Sequence, residues 1–490
     1  MKKLLDTNYL PYFQLLVAFY KDTPHQSIRY FSTELKIDRR TILKTVEQIQ
    51  KDIVEYNWED MIILEFTERE LTATLGPLFS LDVFYAHYMS KSFCVELVLY
   101  LFQHQTAHID ELLDYFYISQ ATFYRKISPL KQVLADFNLE LNFNNKLSTL
   151  TGDEKQVRFF FFTFFWETFR GIPERLDRLP TTEKELLNSF SLTYHLPISL
   201  TQILEVHLII ALSRIKHSFP LLEFPLHLVP LLYFSRFDFQ KQFTPFFENK
   251  ALVSEQLNAE LTSLYFSIVT STTYPPKAAQ SIPLQKIQWS SDLVPYIQQW
   301  ITYYTTFFNV TLSNEDYFYL LLNLYLIQLK KQVWVGGTLS VGVNTVEEIL
   351  HADNPYILIQ TTRFFDFLNQ QAPEFHLNSF QKMNHALLIR RLVANSQPAL
   401  QVLLCSKVGL EETQWTNQII HKVSTVPIMI HSEWKPDIDL IITDYSLPNY
   451  LVPKNLDHYF LWSSFPSFPE WRKLLRRLEK LYYTKFPNSD

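Results

Sequence analysis

Glycine is nearly missing from this chain: seven in 490 residues, where ordinary usage of about 7% gives roughly 34. The seven fall singly apart from Gly336-Gly337, so neither G-x-G-x-x-G nor G-x-x-x-x-G-K-[ST] can be written anywhere. That excludes the glycine-rich phosphate cradles of dinucleotide and nucleoside triphosphate enzymes. Cysteine is scarcer still. Cys94 and Cys405 make no disulfide framework and point to a reducing compartment. Long apolar runs are missing too. The most hydrophobic stretch, 159–166, is closed off by Arg158 and Glu167 and falls far short of the roughly 20 residues of a membrane span. Met1-Lys2-Lys3-Leu4-Leu5-Asp6 offers no signal-peptide core, so the expectation is a cytoplasmic protein with no membrane partner. H-E-x-x-H and G-x-S-x-G are both absent, and His104 and His108, four apart, could share a helix face but have no third ligand at ligand spacing. No enzyme, metal site or cofactor is expected.

What is present is enough apolar side chain for several cores. Hydrophobic residues make up 47% and charged residues 19% of the chain, which at roughly 100–200 residues per domain suggests about three to five folded domains. The net charge is −6, so any nucleic-acid function has to reside in local patches.

One such patch lies at 31–42, Phe-Ser-Thr-Glu-Leu-Lys-Ile-Asp-Arg-Arg-Thr-Ile. The pattern predicts a helix ending near Leu35, a turn burying Ile37, an Asp38 cap and a second helix from Arg39 to about Asp52. Ile42, Val46, Ile49 and Ile53 give that helix one apolar face, and the other presents Arg39, Arg40, Thr41, Lys44 and Gln48. Lys36, Arg39, Arg40, Lys44 and Lys51 against Asp38 and Glu47 make a local +3, suited to a helix entering the major groove by its N-terminus. A second such unit spans 109–126. Ser119 is its expected cap, Phe123 and Ile127 its buried face, and Gln120, Thr122, Tyr124, Arg125 and Lys126 its groove or phosphate contacts. Pro129 should end or kink this helix early. Each unit is followed by a potential hairpin, at 61–75 and 139–150; Asn144-Asn145 supplies the second turn, where a winged helix keeps its wing.

From about 174 to 397 the chain reads as long helices, broken by Pro220, Pro225 and Pro230 and by a linker-like run at 270–276. Within it, 197–210 aligns without gaps on 309–322, an offset of 112 residues that suggests a duplicated domain. Thr201 and Ser313 are the expected caps, and His207 in the first copy faces Tyr319 in the second. The last hundred residues alternate strand-like runs (400–404, 426–430, 439–443) with a helix at 411–423 and a basic amphipathic helix at 470–483, the pattern of a parallel α/β domain.

This order of parts resembles the Mga/AtxA family of virulence regulators of Gram-positive bacteria, most specifically in Ser119 to Lys126, in 150–154 with Arg158, and in 206–214 around His207. The resemblance implies a mainly α multidomain fold: an N-terminal helix-turn-helix domain (1–75), a Mga-type winged helix-turn-helix domain (76–168), two helical PTS regulation domains (PRDs; 169–276 and 277–396) and an α/β domain like phosphotransferase component EIIB (397–490). It implies a DNA-binding transcriptional regulator with double-stranded DNA as partner, the phosphocarrier HPr or another phosphotransferase donor as a transient one, and self-association into a homodimer or larger oligomer. It also makes His207 the candidate phosphoacceptor, with His385 and Cys405 weaker candidates. A phosphotransfer component, or an RNA-binding antiterminator, is the competing expectation; an antiterminator begins with a β-rich RNA module, whereas 27–53 reads as helix.

Overall fold

The computed structural model describes residues 1–21, 25–67, 69–144, 147–169, 179–225, 236–248, 250–271, 274, 292–336, 355–375, 377, 379–447 and 459–486. Asn145, Pro230, Gly337 and most of the 270–276 run lie outside them. The chain is mostly helical and divides into two compact units: 1–302 with 312–345 and 378–381, and 303–311 with 346–377 and 382–490.

The first unit opens with α1 (Leu10–Lys21), β1 (His25–Ser27), α2 (Ile28–Leu35), α3 (Arg39–Glu55), β2 (Ile62–Phe66) and β3 (Glu70–Leu75), in a three-stranded antiparallel sheet of order β1-β3-β2. Helix α4 (Leu81–Ser90) then leads into α5 (Phe93–His104), β4 (Thr106–His108), α6 (Ile109–Tyr115), α7 (Gln120–Lys126), α8 (Ser128–Asp136), β5 (Glu140–Asn144) and β6 (Leu147–Thr151), with sheet order β4-β6-β5. The two halves share one plan. Eighty-one residues separate Arg39, which opens α3, from Gln120, which opens α7. The same spacing pairs Phe31 with Leu112, Ile42 with Phe123, Val46 with Ile127 and Ile49 with Leu130, all buried. It also pairs the left-handed residues: Lys36 (φ 55°) with Tyr117 (φ 52°), and Asn57 with Asn138, both at φ 54°. Non-glycine residues adopt that conformation only where a turn demands it.

Helix α9 (Glu154–Phe169) is buried along nearly its whole length. Its rings meet the second winged unit through Phe102–Phe161 at 5.0 Å and Phe137–Phe160 at 5.4 Å. Beyond it come α10 (Thr181–Thr193), α11 (Ile198–Lys216), α12 (Arg236–Phe243), α13 (Ser254–Val269), α14 (Leu293–Phe308) and α15 (Asn314–Val333). Helix α11 is long and apolar enough to cross a membrane by composition, but here it packs between α9 and α13.

The helix starts do not share the single offset expected of the repeat. Helices α10 and α14 begin 112 residues apart, at Thr181 and Leu293, whereas α11 and α15 begin 116 apart, at Ile198 and Asn314. A gap-free alignment is therefore displaced by about one helical turn. Counted from the helix starts, His207 corresponds to Asn323 rather than Tyr319, and Arg214 to Lys330. Ser313 caps α15 by accepting from the Asp316 amide at 3.1 Å. Thr201 is not a cap: α11 begins earlier, after Pro197, and the Thr201 hydroxyl donates to Ser191 Oγ at 3.0 Å.

In the second unit, the end of α14 meets α16 (Pro355–Gln371) through ring contacts such as Phe307–Phe364 at 5.5 Å and Phe307–Phe367 at 5.3 Å. Helix α17 (Ser379–Asn395) leads to β7 (Leu400–Cys405), α18 (Leu410–Val423), β8 (Ile428–His431), β9 (Leu440–Thr443), β10 (Tyr459–Leu461) and α19 (Phe468–Lys485). The strands form a parallel sheet of order β10-β9-β7-β8, as their apolar runs predict. Leu400, Val402, Leu404, Leu440 and Ile442 pack with Leu474 and Leu478 of α19.

Candidate functional site

Helices α3 and α7 are both set by their caps. Asp38 Oδ1 accepts from the Thr41 amide at 3.0 Å, and Ser119 Oγ from the Thr122 amide at 3.3 Å. Arg39, Arg40 and Lys44 are exposed on α3, and Ser119, Gln120, Tyr124, Arg125 and Lys126 are exposed at and along α7. Three other expected contacts are held by their own helices. The hydroxyls of Thr41 and Thr122 bond to the capping side chains. Gln48 turns its amide to Asp52 Oδ1 at 3.1 Å. Asp52 is 1% exposed and also accepts from the Tyr88 hydroxyl at 3.1 Å, tying α3 to α4.

The helix break expected at Pro129 is present. Helix α7 stops at Lys126, and α8 restarts with Pro129 in its first turn, where the missing N–H is harmless. Tyr117 is a surface residue that pattern reading passed over. It occupies the left-handed turn just before α7 and is 94% exposed.

His207 lies in the middle of α11, 9% exposed, its ring stacked on Phe162 of α9 at 4.0 Å and 11°. It lines a crevice with Lys155, Arg158, Phe159, Ile210, Ala211, Glu260, Ser263, Leu264, Ser267 and Trp334. Burial, and secondarily the charge of Lys330, pushes the imidazole down to about 3, so it is neutral at physiological pH, the form whose ring nitrogen is nucleophilic.

Next to it is a buried ion network. Arg158 donates from Nε to Glu154 at 2.9 Å, from Nη2 to Glu260 at 2.8 Å and from Nη2 to the Phe219 carbonyl at 2.9 Å. Arg214 donates from Nε to Glu154 at 2.9 Å and also bonds Gln105. Residues of the second winged unit and of the helical region are thereby joined through fully engaged charges.

His385 is 1% exposed, within α17. Cys405 ends β7, half-buried, and its thiol is raised above the ordinary range by burial and by Asp444, opposite to the shift that makes a cysteine reactive. Asp444 meanwhile accepts from the Lys407 amide at 2.9 Å and from Ser406 Oγ at 3.1 Å, so the loop after β7 already holds a carboxylate.

Helix, short strand, two helices and a two-stranded wing, with an outward-facing second helix, define a winged helix-turn-helix, a DNA-binding class. Residues 77–165, which run from just before α4 into α9, match the family model of the Mga helix-turn-helix domain, and this supports membership of the Mga/AtxA-like regulators. The match covers less than a fifth of the chain and suggests a DNA-binding regulator. No curated protein matches the sequence.

Proposed function

We propose that the chain is a Mga-like transcriptional regulator of virulence or carbohydrate-linked genes. It reads duplex DNA with α3 and α7 together, and its activity or self-association is set by phosphorylation of His207. The observation that carries this reading is the 81-residue repetition of the winged unit, with exposed cations on the second helix of each copy. Regions 169–276 and 277–396 are then the two PRDs and 397–490 the EIIB-like domain. The DNA contacts are Arg39, Arg40 and Lys44 with Gln120, Tyr124, Arg125 and Lys126, and Ser119, Thr41, Thr122 and Gln48 hold those helices in shape.

For phosphorylation, a lone pair on the neutral His207 imidazole attacks the phosphorus of a donor phosphohistidine, on HPr or a related carrier. The new N–P bond forms as the donor's N–P bond breaks, and the donor imidazole keeps the electron pair. The product adds about −1.5 to −2 charge within a packed helical interface, a change able to shift a two-state packing or an oligomer equilibrium. Asn323, at the equivalent place in the second copy, is already bonded to the Tyr274 amide at 2.8 Å and to the Tyr319 carbonyl at 2.8 Å, and an amide takes no phosphoryl group from such a donor. The Asp444 contacts and the raised thiol argue against phosphotransfer at Cys405 and favour regulation over a carrier role.

A mobility-shift titration tests the reading. Arg39→Ala combined with Arg125→Ala is expected to weaken duplex binding sharply; unchanged binding would remove both helices from it.

A further inference from the structure

The left-handed positions that repeat between the two winged units are filled in two different ways. After α3 and after α8 the residue is asparagine, Asn57 and Asn138, which tolerates positive φ because its short side chain bonds locally. In the turns that precede α3 and α7 the residues are Lys36 and Tyr117, which have no such tolerance; glycine would take the conformation freely. These two turns therefore hold their residues against a backbone preference.

The fold recovers nothing from the two side chains. Tyr117 is 94% exposed and Lys36 is exposed as well. Neither side chain makes a hydrogen bond, ion pair or ring contact with a described residue. Their backbones, by contrast, are pinned. The Tyr117 amide donates to the Asp114 carbonyl at 3.2 Å and the Ile118 amide to the Leu113 carbonyl at 3.1 Å. The Lys36 and Ile37 amides both donate to the Ser32 carbonyl, the second at 3.2 Å. Each turn thus carries an unengaged long side chain on a fixed root, three positions before the first residue of α3 or α7.

Lysine and tyrosine share little chemistry beyond a long arm that ends in a hydrogen-bond donor. Base edges present donors and acceptors together, whereas the phosphate oxygens along a strand only accept. We infer that Lys36 and Tyr117 contact the phosphate backbone of duplex DNA, one in each winged unit, and so fix the register of α3 and α7 on the duplex. The Lys36 ammonium supplies a point charge and the Tyr117 hydroxyl a neutral donor. The inference rests on the function proposed above and adds to it two residues that lie outside both helices.

The test uses the full chain and a short duplex of mixed sequence, since a phosphate contact does not depend on sequence. Thermal unfolding comes first: Tyr117→Gly and Lys36→Gly are expected to unfold no lower than wild type, because glycine relieves the turn. A clear loss of stability in either would show that the side chain serves the fold, and would overturn the inference for that residue. Binding is then followed over a range of salt. Tyr117→Phe and Tyr117→Gly should each weaken binding by about tenfold, the worth of one hydrogen bond to a charged group, with the salt slope unchanged. Lys36→Gly should reduce that slope by about one contact. Tyr117→Phe binding as tightly as wild type would overturn the hydroxyl contact, and an unchanged slope in Lys36→Gly would overturn the ammonium contact. Arg39→Ala with Arg125→Ala is carried alongside. If that pair weakens binding while the turn variants do not, the inference falls and the reading of α3 and α7 stands. If the turn variants weaken binding while that pair does not, the turn contacts stand and the role of the two helices falls. A wild-type chain that binds no duplex overturns both.

Discussion

The two winged units share a frame and differ in the helix that follows the turn. Helix α3 runs unbroken over 17 residues, whereas α7 spans seven and hands over to α8 at Pro129. The first turn and a half of α3 carries Arg39, Arg40 and Lys44; the same stretch of α7 carries Gln120, Tyr124 and Arg125. Buried positions, caps and left-handed turns repeat at a fixed spacing, while the outward residues do not. The frame is thus under packing constraint and the outward face is the variable part. Over that stretch the first copy presents three point charges, and the second one charge and two hydrogen-bonding side chains.

The largest effect should come from what joins only the second copy to the helical region. Arg158→Ala would leave Glu260, 0% exposed, without its cation, and a broken buried pair costs about 3–5 kcal/mol. Chemical denaturation should register that loss, and exchange protection should fall in α5 to α9 before it falls in α1 to α3.

Next is the helix break itself. Pro129 stands 81 residues beyond Gln48, at the equivalent position. Gln48→Pro would put a proline in the interior of α3 and is expected to destabilise by roughly 3 kcal/mol or more. Pro129→Gln should be close to neutral, because this proline sits in a first turn. Equal losses in the two variants would show that the break in α7 is a packing requirement.

The caps give the smallest contrast. Ser119→Ala is expected to cost about 1 kcal/mol at any pH. Asp38 differs because its carboxyl is held below its ordinary 3.8 by the Thr41 hydroxyl and amide. The proton is thus taken up more readily by the unfolded chain, so the contribution of this cap is full above that range and is lost as pH falls through the lower folded value. Asp38→Ser should remove this acid sensitivity and leave neutral-pH stability unchanged, as read by thermal unfolding between pH 2 and 5.

Much of this frame was legible in the sequence, because caps, apolar spacing and turn residues act locally. Asp38, Ser119, Ile42, Phe123 and Pro129 all do what their neighbours predict. Helix α1 was not legible: Leu15, Leu16 and Phe19 lie in a nearly continuous apolar run without clear periodicity, and Pro11 reads as a breaker although it occupies a first turn, where proline is tolerated. Strands β1 and β4, three residues each, exist only because β3 and β6 pair with them. The one-turn displacement between α11 and α15 was hidden because leucines three and four apart match in either register. At the candidate sites, the exposed cations followed from pattern. The tie from buried Asp52 to Tyr88, and the stacking of His207 on Phe162, depend on tertiary contacts that no local pattern records.

The central claim, that both reading helices meet the same duplex, is tested most directly by the salt dependence of binding. The logarithm of the binding constant is plotted against the logarithm of salt concentration for wild type, Lys44→Ala, Arg125→Ala and the double variant. Each single change should reduce the slope by about one phosphate contact and the double by about two. A slope that Lys44→Ala or Arg125→Ala leaves at the wild-type value would contradict the account for that helix, and a slope untouched by the double variant would contradict it entirely.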